Sequence, residues 1–164
     1  MSPVSEQLSN SARRFKQLLV ARGYDFEIVE MPDSTRTAQD AAQAVGCSVP
    51  QIAKSLVFKG GESGTAILAI VSGANRADTD KLAAVAGESI GKARADFVRA
   101  QTGYAIGGVP PTGHDQPLRT FIDTDLLQFE QIWAAAGTPR AVFCLPPSQL
   151  AALTGGTVTD IRVR

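Results

Sequence analysis

Leu8, Ala12, Phe15 and Leu19 recur at helical spacing, with Leu18 beside them, while Arg13, Arg14 and Lys16 fall off the stripe. This pattern predicts an amphipathic helix that stops at Gly23. Tyr24, Phe26 and Ile28 then alternate with polar residues before Pro32, which predicts a strand over Tyr24 to Glu30. Thr37 followed by Asp40 resembles a capping box, and Ala38, Ala41, Ala42 and Val45 form a small-residue helical face that Gly46 is placed to end. Pro50 is suited to open a short helical turn. Lys54 to Phe58 and Thr65 to Val71 read as strands around the turn-rich Gly60, Gly61, Ser63 and Gly64. The second strand is apolar on both faces, which places it at the centre of a sheet. Asp78 is expected to cap a helix carrying Leu82, Val85 and Ala86, and another helix is expected to start near Lys92 and carry Phe97 and Val98. Strands follow over Leu118 to Ile122 and Ala141 to Leu145, then a short helix from Pro146 and Pro147 through Leu153. The pattern is mixed α/β, with no repeat and no evident domain boundary, so residues 1–164 are read as one domain.

A chain of 164 residues can bury roughly two-thirds of its unfolded surface, enough for a core without staples. Sixteen Lys+Arg balance sixteen Asp+Glu, so the net charge is zero. A protein that grips nucleic acid along its length carries a basic excess. If this chain acts on nucleic acid it touches only a small part of it or uses a local patch, with roughly three or fewer counterions released. Two cysteines, Cys47 and Cys144, and one His give no metal-ligand spacing and no disulfide framework. Both thiols are expected to be reduced core residues of a cytoplasmic protein. The N-terminal MSPVSEQLSNSARRF has no leader-like apolar core, and the longest apolar run, Ala66 to Val71, is too short to span a bilayer.

Three features carry candidate chemistry. In KSLVF, alternation puts Lys54 on the face of Leu56 and Phe58, with Ser55 and Val57 opposite. An ammonium in line with apolar side chains either snorkels to water from a strand end or stands at the mouth of a pocket. The segment from Gly103 to Pro117 holds four Gly, three Pro and the only His. Gly107 and Gly108 suit either a plain structural loop or a nest of N–H donors for an oxyanion or phosphate. His114 is either structural or a general base, and Asp123 reads most simply as a helix N-cap. Ser55 and Ser72 stand in no nucleophile motif, so hydrolysis here needs another nucleophile, such as water.

AKSLVF at 53–58, AILAIVSGANRADTDKLA at 66–83, TGYAIGGVPPTGH at 102–114, TFIDTDLL at 120–127 and LPPSQLAALTGGTVTDI at 145–161 occur in this order. Together they resemble the YbaK family, the prolyl-tRNA-synthetase-associated editing domains. The resemblance spans about Tyr24 to Ile161. It implies a curved central mixed sheet with flanking helices, and freestanding deacylation of mischarged tRNA with no metal or other cofactor. It places the family's lysine on Lys54, its glycine loop on Gly103, Gly107 and Gly108, and its aspartate on Asp123. Lys54, Gly107 and Gly108 are then the catalytic group, with Gly103, His114, Asp123 and Ser72 binding substrate. In the mechanism this implies, a ribose hydroxyl of the terminal adenosine helps activate water. Lys54 orients the substrate and the glycine backbone polarises the ester. The partners implied are the acceptor end of a mischarged tRNA and an aminoacyl-tRNA synthetase, with no DNA and no membrane. Where cysteinyl-specific members carry a Ser-Gly-Gly-type segment, this chain has AAAGTPRAVF at 134–143, nearer to alanyl-, seryl- or threonyl-clearing branches. A non-catalytic module that binds a synthetase or the acceptor end, and a hydrolase unrelated to tRNA, are the competing readings. The loop is taken to lie at the surface, so a side chain at Gly108 is expected to cost turnover and leave stability nearly intact.

Overall fold

A computed structural model describes residues 8–164; residues 1–7, the first part of the stretch read as lacking a leader, lie outside them. Eight strands form one mixed sheet: β1 (Ile28–Glu30), β2 (Ile52–Gly60), β3 (Ala66–Ser72), β4 (Ile90–Lys92), β5 (Arg119–Asp123), β6 (Ile132–Ala135), β7 (Ala141–Leu145) and β8 (Thr157–Thr159). Their order is β1-β7-β6-β2-β3-β5-β8, with β4 added on β2. The β2/β3, β2/β4, β6/β7 and β1/β7 pairs are antiparallel, and β2/β6, β3/β5 and β5/β8 are parallel. Among the described residues the helices are α1 (Asn10–Ala21), α2 (Ala38–Val45), α3 (Thr79–Ala86), α4 (Ala95–Thr102) and α5 (Leu150–Thr154). None is long and apolar enough to cross a membrane.

β3 is buried along its whole length, because its alternating side chains feed two separate cores. Leu68 and Ile70 join Ala12, Phe15 and Leu19 of α1 and Leu150 and Leu153 of α5. Ile67, Ala69 and Val71 join Leu82 of α3 on the other face. Each large side chain fully buried here contributes roughly 1.5–3 kcal/mol. β2 alternates as its sequence predicts: Leu56 and Phe58 pack with the second core, Val57 with the first. The Thr37 side chain caps α2 by accepting the Asp40 N–H at 3.0 Å, and Gly46 ends it at φ 78°.

Several expectations need correction. The strand expected from Tyr24 begins only at Ile28, where a partner exists: the β1 ladder runs Ile28↔Phe143 to Glu30↔Ala141. Tyr24 and Phe26 instead stack on each other at 5.5 Å. The helix expected near Lys92 forms with Phe97 and Val98, but Lys92 itself does not open it. The lysine ends β4, held by Phe58, and α4 starts after Arg94. Val85 is 43% exposed and lies off the buried stripe of α3. Neither cysteine is buried; both are free and half-buried. The strands β4, β6 and β8 were not predicted: each is three or four residues long, and each exists through long-range pairing.

Candidate functional site

The sheet has a gap. Along one edge β2 pairs with β6 only at Ile52↔Trp133 and Ala53↔Ala134, and with β4 only from Phe58 to Gly60. Between these contacts, residues 54–57 have no strand on that side. Ile106, Gly107 and Val109 line the space there. A cleft of about 330 Å³ opens at the fork, within the range of small-molecule sites. Ile52, Ala53, Leu56, Trp133, Ala134 and Val142 give it an apolar floor, with Thr35, Arg36 and Thr37 on the rim.

Lys54 lines this cleft. Of the two positions its sequence allowed, the structure gives the pocket mouth. Its Nζ donates to the Gly73 carbonyl at 3.3 Å. Burial pushes its pKa below the usual 10.5, the Arg76 cation pushes the same way, and Asp123 opposes both. Gly73 cannot carry a side chain, since a Cβ would stand 2.3 Å from the Val49 carbonyl oxygen. Its N–H donates to Ile52 O at 2.7 Å. Asp123, fully buried, fixes the turn around it. Asp123 Oδ2 accepts the Ser72 N–H at 3.1 Å and Asn75 Nδ2 at 2.8 Å, while Oδ1 accepts the Asp125 N–H at 2.9 Å. Ser72 Oγ donates to Pro50 O at 2.6 Å. Asp123 and Ser72 therefore hold, from behind, the carbonyl that holds Lys54. Neither lines the cleft. The N-cap reading of Asp123 is borne out for the 3-10 turn Thr124–Gln128.

The glycines separate. Gly107 lines the cleft at φ 89°, a conformation that favours glycine. Among the described residues no hydrogen bond engages its N–H. Gly108 is different. Its N–H is bonded to Ala105 O at 2.9 Å and its carbonyl accepts Gly137 N–H at 3.0 Å. A Cβ there would lie 2.6 Å from the Thr138 backbone. Gly108 is buried, so the expectation of a surface loop position with a free donor is corrected. Gly103 ends α4 at φ 82° and faces Asp115, outside the cleft.

His114 does not line the cleft either. Its Nε2 lies 2.7 Å from Pro110 O. Burial lowers its pKa from 6.5, against the raising effect of the Pro110 carbonyl, with smaller contributions from Arg22 (lowering) and Asp115 (raising). The fold thus prefers neutral His114, and the unfolded chain binds the extra proton as pH falls through 6.5 and below. Stability from this group is full above 6.5 and is lost on acidification. Urea unfolding at about pH 8 and about pH 5.5 should show a drop that His114→Gln reduces; an unchanged drop would exonerate this residue.

Sequence reading missed Arg36, Gly73, Ile106 and Trp133. Arg36 sits in PDSTRT, a turn-rich stretch with no periodicity, and Trp133 in a strand of which two residues in four are alanine. Only Gly73, in SGAN after a buried strand, carried a local signal for a tight turn.

The sequence model of a family described as "Aminoacyl-tRNA editing domain" matches residues 32–153. The uncharacterised protein YwhH of Bacillus subtilis (strain 168) is 32% identical over 124 residues, 76% of this chain and 78% of that protein. A protein of Enterococcus faecalis (strain ATCC 700802 / V583) named "Putative Cys-tRNA(Pro)/Cys-tRNA(Cys) deacylase EbsC" is 26% identical over 162 residues, 98% of this chain and 96% of that one. The crystal structure of a "putative trans-editing enzyme for prolyl tRNA synthetase" superposes with a TM-score of 0.91 at 51% identity, covering 96% of this chain and 100% of the other.

Proposed function

The chain belongs to the aminoacyl-tRNA editing domain family, and from that premise we propose that it is a single-domain trans-editing enzyme whose Lys54 cleft hydrolyses the ester of mischarged aminoacyl-tRNA. The observation that carries this is Lys54 itself, an ammonium without a carboxylate partner among the described residues, held by one carbonyl over an apolar floor. Its donors suit a carbonyl or phosphate oxygen of the bound acceptor end. The free N–H of Gly107 beside it suits the ester oxygen as negative charge develops. Among the described residues no His, Cys, Asp or Glu lines the cleft. Water therefore takes the nucleophile's role, with the neighbouring ribose hydroxyl of the terminal adenosine supplying the polar contact that a side-chain base would give. Asp123 and Ser72 are positioning residues in this reading, acting through Gly73.

For the amino acid we favour alanyl, seryl or threonyl over cysteinyl. Ser55 lines the cleft, and its buried hydroxyl has no hydrogen-bond partner among the described residues. That hydroxyl is on the face of β2 opposite Lys54 and is closed to solvent, so the preference rests instead on AAAGTPRAVF at 134–143. Ser55→Ala, which removes a buried unpaired hydroxyl, should keep or raise the thermal midpoint and leave the ranking of substrates unchanged; a changed ranking would bring Ser55 into recognition. The acceptor end is the partner proposed, with a prolyl-tRNA synthetase, named for the solved relative, as a second; the free thiols suit the reducing cytoplasm. The deciding experiment is a deacylation screen over mischarged tRNAs that includes cysteinyl-tRNA, the substrate in the name of the Enterococcus relative. No turnover on any of them, with tRNA still bound, would favour a non-catalytic binding module.

A further inference from the structure

Seven of the sixteen lysines and arginines are paired with a carboxylate among the described residues. Arg14, Lys16, Lys81, Arg94, Arg119, Arg162 and Arg164 each stand against a carboxylate. Arg36 does not, and neither do Lys54 and Arg76, the cation that acts on Lys54. No carboxylate lies within ion-pair distance of these three among the described residues. Arg36 and Lys54 both line the cleft, so it presents two cations with no carboxylate at ion-pair distance among the described residues, in a chain of zero net charge.

Arg36 is also held in place. Its own N–H donates to Ser34 Oγ at 3.1 Å. On one side, the Thr35 N–H and Oγ1 donate to Pro139 O at 2.6 and 3.1 Å. On the other, Thr37 caps α2. The aliphatic stem packs on Gly107, where a Cβ would come 2.6 Å from Arg36 Cγ. The missing side chain at Gly107 is what admits the stem. An exposed guanidinium on an anchored backbone at the rim of an apolar cleft suits a planar, bidentate grip on a phosphodiester.

Building on the tRNA reading of this cleft, we propose that Arg36 binds an internucleotide phosphate of the substrate's single-stranded 3′ end, leaving Lys54 for the reacting terminus. The test begins with binding alone. The probe is a labelled, uncharged RNA trinucleotide, cytidine-cytidine-adenosine, titrated by fluorescence anisotropy over a salt series against wild type, Arg36→Ala, Arg36→Lys and Arg99→Ala. Arg99 is an exposed cation outside the cleft and serves as the control. Arg36→Ala should weaken binding about fivefold to tenfold and reduce the slope of log affinity against log salt by about 0.7, the value for one phosphate contact on a single strand. Arg36→Lys should keep the slope and lose part of the affinity, and Arg99→Ala should change neither. In turnover, Arg36→Ala should raise KM on aminoacyl-tRNA with little change in kcat. On a 3′-aminoacyl-adenosine, which has no internucleotide phosphate, it should match wild type. The proposal is overturned by an Arg36→Ala slope equal to wild type, by an equal loss on the nucleoside ester, or by wild type failing to bind the trinucleotide. Arg36-dependent binding without hydrolysis of any charged tRNA would sink the deacylase reading and leave this one standing.

Discussion

Lys54→Ala is expected to abolish deacylation, lowering kcat/KM by at least about a hundredfold, while the protein remains folded. The ammonium is partly desolvated, has Arg76 acting against it, and receives one carbonyl contact in return. In the folded state its proton is therefore held less tightly than in the unfolded chain. For a lysine this means the charged form is a burden on folding at neutral pH, so removing it should leave the thermal midpoint at or above that of wild type. Lys54→Met, which keeps the stem and drops the charge, separates packing from chemistry: it should be equally inactive and equally stable. Near-normal turnover in either folded variant would displace Lys54 from the centre of the mechanism. The same depressed pKa predicts that activity falls as pH rises toward the ordinary lysine range, earlier than an exposed lysine would allow.

The second large effect divides two adjacent glycines. At Gly107 an alanine meets the flexible Arg36 side chain and a left-handed backbone. Tilting this peptide removes a donor beside Lys54, and loss of one such donor typically costs about 2.7–4 kcal/mol of transition-state stabilisation. Gly107→Ala should thus cut kcat at least about a hundredfold, with a modest fall in stability. At Gly108 the obstruction is the Thr138 main chain, which cannot rotate away. Gly108→Ala, and Gly108→Val more so, should lower the unfolding free energy by about 1–3 kcal/mol through overpacking. Thermal melts and turnover measured on both variants decide the matter. A stable, inactive Gly108 variant would restore it to the catalytic group. His114→Ala, outside the cleft, should cost tenfold or less in turnover; if it proved the dead enzyme, a histidine base would replace the ribose-assisted reading.

Local signals in the sequence carried far. The stripe from Leu8 to Leu19, the caps at Thr37 and Asp78, and the doubly apolar strand at 66–72 each follow from side-chain period or backbone capping, and each stands in the structure. Lys54 was legible because a cation broke an apolar alternation. Arg36 and Trp133 were not, because nothing local sets them apart. Trp133 joins Lys54 in the cleft only when β6 pairs with β2, after nearly 80 residues of intervening chain, and Arg36 comes from the loop ahead of α2. The glycine loop was legible as a loop, but not residue by residue. Whether a glycine N–H is free or already bonded depends on which carbonyl the fold brings to it, Ala105 for Gly108 and none for Gly107.

The break between β6 and β4 along β2 has one more consequence. A strand edge without a neighbour is ordinarily a hazard, since its main-chain donors and acceptors invite a foreign strand. Here Ile106 and Val109 line the space beside that edge, and among the described residues no loop main-chain hydrogen bond reaches residues 54–57. A ligand entering at the fork would meet peptide groups that no point substitution can delete. Contacts of that kind would survive changes of side chain. Substitution at a rim residue such as Arg36 would then alter what else is held while leaving the backbone edge as it is.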